Sequence, residues 1–298
     1  TAVLIKNTTD YLDTYYTATG AGAVSNIGPF IAREAGTLGN SLKISMCTNS
    51  TAFGPHSMSG NLVADASAAI GDTTISVDDG SLMQVGDILE FGDAAATPSP
   101  DGAPSGFYYK ITAISTNLLT IARFNPATGT TESGGLRHAV VDNAKILRHW
   151  EYFFNFANAP TTSDDVSAAG GSLDEMHIAV IDEDGSISGT TGTILETFEG
   201  VSQATDAKTA TGASNYYPNV LYAQSKFIYW VDHLATLSDG LAKTGTTFDN
   251  SVGDAFVVST TSLASGTDDF TATNAEIATA YEKFNDAENV DLSLLICG

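Results

Sequence analysis

Basic residues are scarce. Across 298 residues, twelve lysines and arginines stand against thirty-five aspartates and glutamates, a formal net charge of -23. Phosphate backbones and anionic membranes repel so acidic a chain, so neither nucleic acid nor a membrane anchor is an expected partner. The charge itself reads most simply as solvated surface. Cysteine is almost absent. Cys47 and Cys297 cannot build a disulfide framework, and neither has C-x-x-C spacing. Both lie in apolar, strand-like runs (LKISMC and LSLLIC), where a free thiol behaves as a small buried hydrophobe. No run approaches the ~20 apolar residues of a membrane-spanning helix. His56, His138, His149, His177 and His233 show no H-x-H or H-x-x-x-H spacing, so no metal site is expected. There is no G-x-S-x-G elbow and no motif pairing a cysteine with histidine. No catalytic, cofactor-binding or metal-ligating residue is therefore assigned, and the chain is not expected to be an enzyme.

What is present is a β-rich pattern. Hydrophobic residues make up 43% of the chain, which is long enough for two domains with substantial cores. Residues 172–200 are the organising stretch. MHIAVI, residues 176–181, is a short β-branched run that reads as a buried strand. Asp182-Glu183-Asp184-Gly185 breaks it, with Gly185 supplying a positive φ. Residues 186–189 are expected to return as a second strand and 193–199 as a third. The three acids admit paired hydrolytic carboxylates, calcium ligation or a solvated hairpin turn. Adjacent turn residues do not face each other across a cleft. The EF-hand register would put Val180 and Thr191 where carboxylates are needed. The solvated turn is the reading kept.

Elsewhere, residues 2–5 read as a strand and 7–16 as a helix with N-cap candidates at its start. Residues 31–33 and 41–47 read as strands flanking a turn. Gly36 and Gly39 lack the Lys-Ser/Thr of a phosphate loop, so they are read as turn residues. Residues 50–60 have linker composition. Short strands follow at 73–77, 88–91, 107–115 and 118–123, the last two joined at Thr116-Asn117, and residues 125–135 read as a second linker. KILRHWEYFFNF, residues 145–156, suggests a strand buried on both faces or one face in a subunit contact. A helical turn in 159–171, a helix over 214–224 capped by Ser214, strands at 226–231 and 255–259, a helix over 275–284 capped at Thr273-Asn274 and a strand at 290–297 complete the chain. His177 is read as a hydrogen-bonded structural histidine.

Two separated tracts carry a resemblance. One is HIAVIDEDGSISGTTGTILETFEGVSQATDAKTATGASNYYPNVL, residues 177–221, with its DEDG turn, G-x-x-G-T-I-L-E segment, D-A-K and S-N-Y-Y. The other is GPFIAR, residues 28–33, followed by GTLGNSLK, residues 36–43. Together they resemble the tail-sheath protein of large contractile-tailed bacteriophages, over roughly 29–43 and 148–298.

The resemblance implies a virion structural protein. Its copies would form hexameric rings, stacked helically around a tail tube, that contract to drive the tube through a host envelope. It implies no catalysis and no cofactor. Expected partners are other copies, the tail tube protein, and the baseplate and tail terminator proteins; expected locations are the phage tail and, during assembly, the host cytoplasm. Family members join neighbours through terminal strand-adding arms. Those arms and a further conserved region are expected outside this chain, which would then be a fragment that associates weakly.

The expected fold class is α+β and β-rich: a mixed α/β host domain carrying an inserted all-β domain, a small barrel or sandwich. The expected boundaries are host 1–60, outward-facing insertion 61–135, host 136–285 and the start of a following domain at 286–298. Possible intersubunit contacts are Arg33, Arg148 and Trp150, with ordinary surface charge the alternative for the arginines. The alternative function is a surface-exposed carbohydrate-binding β module with Tyr108 and Tyr109 as stacking platforms, against aromatics packing a small core. A hydrolase built on the acidic loops is the third.

Overall fold

The computed structural model describes residues 29–65, 68–92, 106–231, 233, 242–248, 258–268, 271 and 273–282. In chain order the strands are β1 (Phe30–Ala32), β2 (Leu42–Cys47), β3 (His56–Leu62), β4 (Thr74–Ser76), β5 (Ile88–Phe91), β6 (Tyr108–Ser115), β7 (Leu118–Asn125), β8 (Thr130–Glu132), β9 (Lys145–His149), β10 (Glu175–Asp182), β11 (Thr193–Ser202), β12 (Ile228–Trp230) and β13 (Val258–Ser262). Four short helices accompany them: α1 (Ser50–Phe53), α2 (Asp164–Ala168), α3 (Tyr217–Gln224) and α4 (Asn274–Glu282). The described chain is thus α+β and β-rich, as its alternating apolar patterns predict.

Strand β10 is the spine of a four-stranded antiparallel sheet ordered β11-β10-β2-β13. Alternation divides its side chains between two cores. Met176, Ile178 and Val180 join Leu42, Ile44 and Met46 of β2 beneath Tyr217 and Leu221 of α3 and Ile228 of β12. Ala179 and Ile181 point the other way, with Cys47, onto Trp150, Tyr152 and Phe156. Both faces are covered, so the strand can be apolar throughout. Strands β1 and β12 form a separate two-stranded ribbon, Phe30 opposite Trp230.

The remaining strands make a seven-stranded sheet ordered β3-β9-β5-β6-β7-β4, with β8 beside the far end of β7. The sheet curls until its ends meet. Ala64 N–H donates to Ser76 O at 2.9 Å, Asp78 N–H donates to Leu62 O at 3.0 Å, and Val63 lies opposite Val77. Val63, Ile75, Leu89, Tyr109, Leu119 and Ile146 belong to the core that it encloses. Closure also draws Gly135 against the Gly71-Asp72 backbone, where a Cβ would collide with carbonyl oxygens.

Several elements depart from expectation, each for a local reason. Residues 50–60 are not a linker: Asn49 caps α1 by accepting from Ala52 N–H at 2.7 Å, and β3 pairs with β9. Pairing overrides the Ser/Gly content, and the register slips between Ser57 and Leu62, around Gly60. Residues 125–135 contain β8, held by β7. The seven-stranded sheet therefore starts at His56 and takes in Lys145–His149, reaching beyond 61–135 on both sides. The aromatic tract is strand only to His149, then turns through a short 3-10 segment at Phe153–Asn155.

Helix α3 begins at Tyr217 with a proline in its first turn. Ser214 is not its cap; it accepts from Tyr216 N–H and from the Asn219 amide one turn earlier. Helix α4 carries a capping box, Thr273 N–H to Glu276 Oε2 at 2.8 Å and Glu276 N–H to Thr273 Oγ1 at 3.3 Å. Its Ile277 and Tyr281 are exposed. The elements expected at 2–5, 7–16 and 290–297, with Cys297 and Phe284, lie outside the described residues.

Candidate functional site

Asp182 ends β10 and ties together the two tracts that carry the resemblance. Its side chain is fully buried. Oδ1 accepts from Ser41 Oγ at 2.6 Å and from Gly185 N–H at 3.1 Å. Oδ2 accepts from Ile187 N–H at 3.0 Å, Ser188 N–H at 2.6 Å and Ser188 Oγ at 2.7 Å. Residues 186–189 therefore wrap the carboxylate instead of forming the expected return strand, and β10 and β11 make a hairpin with a long loop. Gly185 has φ 81°, and a Cβ there would sit 2.7 Å from Thr191 N, so the loop demands glycine. Burial opposes the charge on Asp182, but the hydrogen bonds from Ser41 and Ser188 prevail and hold its pKa down to about 2. The first acid of DEDG is thus a buried loop organiser, not part of a solvated turn. Its signal was in the sequence: alternation puts Asp182 on the face of Ile178 and Val180. Ser41, which completes the arrangement, had no signal that sequence could supply.

The three candidate contact residues all have partners inside this chain. Arg33 follows β1 and caps the C-terminal end of α3. Its Nη2 donates to Tyr222 O and, at 3.4 Å, to Leu221 O, its Nε donates to Ile228 O at 3.2 Å, and its guanidinium lies 4.2 Å from the Tyr229 ring centroid. We expect Arg33→Ala to lower the unfolding free energy by about 2 kcal/mol. Arg33→Lys should recover less than half of that, because one ammonium cannot reach three carbonyls at once. Urea unfolding measures both, and equal stability of the lysine variant and the parent would contradict the clamp.

Arg148 is buried in β9. It pairs with Asp87 at 2.7 Å and donates to Leu82 O at 2.8 Å. Burial pushes Asp87 up, while the Arg148 guanidinium opposes it. Trp150 is wholly buried, edge-on to Tyr152 and tilted against Phe156, with Nε1–H donating to Ser45 Oγ at 2.8 Å on the back of β2. Arg148 ties β9 to the segment before β5 within the seven-stranded sheet, Trp150 reaches across to the four-stranded sheet, and both are buried within this chain.

Tyr109 is likewise interior, its hydroxyl accepting from Arg137 N–H at 2.8 Å, which removes it as a stacking platform. Tyr108 is half-buried against His149 and Phe153. His177 has the structural role expected: Nε2–H donates to Asn158 O at 2.7 Å and Nδ1 accepts from Gly200 N–H at 3.0 Å. Cys47 is buried, which pushes its thiol pKa up.

Sequence reasoning missed two further buried carboxylates. Asp174 accepts from Ser163 N–H, Ser163 Oγ and Ser202 Oγ, and Glu90 meets His149 Nε2 at 2.8 Å. These pairings join residues 11 to 59 positions apart, beyond the reach of near-neighbour spacing. Among the described residues no three His, Cys, Asp or Glu are placed to hold a metal ion. Among them, too, no helix is long and apolar enough to cross a membrane. Compared with protein families and curated sequences, the chain matches no family model and no curated protein.

Proposed function

We propose that this chain is part of a non-catalytic structural subunit of a phage contractile tail sheath, assembling with copies of itself around a tail tube. What supports the reading is a convergence. The tracts at 28–43 and 177–221, over a hundred residues apart, carry the resemblance, and they pack against each other along β2 and β10 and again at the end of α3. Ser41 donates to the Asp182 carboxylate, and Arg33 caps the carbonyls of Leu221 and Tyr222.

The same reading makes the four-stranded sheet, with its ribbon and α3, the host domain, and the curled seven-stranded sheet an inserted all-β barrel facing outward. Its support is that the chain leaves and returns side by side, His56 opposite Arg148 and Ser57 opposite Leu147, as an insertion requires. Partners on this reading are other copies, the tail tube, the baseplate and the tail terminator, in the virion and in the host cytoplasm during assembly.

Electron microscopy of the protein as its gene encodes it is the test. Hollow tubes of six-fold rings are expected. Discrete particles with no tubular order, under every buffer tried, would overturn the proposal.

A further inference from the structure

Resting on that reading, we infer that association between copies of this chain is gated by ionic strength, because acids outnumber cations about three to one and six of its twelve lysines and arginines are engaged inside the fold, so an approaching copy meets unbalanced acid. Lys43 pairs with Glu183, Lys110 with Glu151, Arg137 with Glu132 and Arg148 with Asp87. Arg33 and Arg123 donate to backbone carbonyls of their own chain. An intersubunit ion pair built on any of these would compete with an ion pair or hydrogen bond inside the chain.

The acids are also unbroken over long stretches. Residues 44–109 contain eight acids and 149–207 eleven, with no lysine or arginine in either. Between them they supply most of the seven-stranded sheet's first half, the β10–β11 hairpin and α2. Exposed members such as Asp164 and Asp184 face solvent, and Glu34 and Glu282 add to the same field from outside these stretches.

The net charge of -23 makes the repulsion between two copies grow as its square. Salt decides how far it reaches. The Debye length is about 30 Å at 0.01 M and about 8 Å at 0.15 M. At low salt the field of one copy spans the gap to the next before any apolar contact forms. Near physiological salt it shrinks to little more than contact distance, and short-range packing can prevail.

The test uses the protein as its gene encodes it, followed by sedimentation velocity and electron microscopy across NaCl from about 0.01 M to about 0.5 M. The apparent association constant is expected to rise at least about a hundredfold over that range. A variant combining Glu34→Gln, Asp184→Asn and Glu282→Gln should assemble at distinctly lower salt, because every copy carries three fewer negative charges. That variant separates charge from general salting-out. Tubes as abundant at the lowest salt as at the highest, or a variant with an unmoved midpoint, would overturn the gating and leave the sheath reading standing. Salt-driven association into particles without six-fold order would sink the sheath reading and keep the gating. No association at any salt would end both.

Discussion

Asp182→Ala lowers the unfolding free energy by about 3–4 kcal/mol. The carboxylate is fully buried and accepts five hydrogen bonds, three from the backbone of its own loop. Truncation leaves those N–H groups and the Ser41 hydroxyl facing one another across an apolar gap. The loop must then reopen to water, and the ends of β10 and β2 lose their tie. Asp182→Asn keeps the shape but turns an amide donor toward a group of donors, and should cost about 2–3 kcal/mol.

The pH dependence is specific. With a folded pKa of about 2, below the ~3.9 of an unfolded aspartate, the ionised group stabilises the fold fully above about pH 4. That contribution disappears as pH falls toward 2. Stability of the parent should therefore fall across this window by an amount that the asparagine variant does not show. Denaturant titrations at several acidic pH values measure it, and parallel curves for parent and variant would contradict the role given to Asp182.

Asp87→Ala is expected to destabilise by about 3–5 kcal/mol, and the double change Asp87→Leu with Arg148→Met by far less than the sum of the singles. Both side chains are nearly inaccessible, at 7% and 5% of their free surface, so removing the acid strands a guanidinium away from water. Replacing both removes the desolvation penalty together with the attraction. A residual deficit of about 1 kcal/mol remains in the double variant, because Leu82 O loses the donor that Arg148 provides. Urea unfolding of the parent, Asp87→Leu, Arg148→Met and the double variant closes the cycle. Strictly additive effects would show that the pair is not coupled, and that Arg148 acts only through packing.

How much was legible in the sequence follows from how local each signal is. Strands β2, β4, β5, β6, β7, β10 and β11 were readable because alternation or a β-branched run is written within a few residues. The β6–β7 connection was readable from Thr116-Asn117, and Thr116 does adopt a positive φ of 54°. Strands β3 and β8 were not. HSMSGNL and TTE have the composition of linkers and become strands only because β9 and β7 offer them partners. Residues 186–189 show the converse, a plausible strand that the Asp182 carboxylate recruits into a loop.

By itself the sequence determined the charge, the β-rich class, the apolar spine at residues 176–181 and the capping box before Ile277. Each depends on residue type and near-neighbour spacing alone. Only the tertiary structure decided that Asp182 is buried with Ser41, that Arg33 serves α3, and that Arg148 and Trp150 point inward. Only it decided that six strands close on themselves through Val63 and Val77. Those outcomes depend on contacts between residues tens to hundreds of positions apart. Alternation along β10 marks the face on which Asp182 lies, but which group meets it there, and whether an arginine or a tryptophan faces solvent or a partner, is settled by what the rest of the chain brings against it.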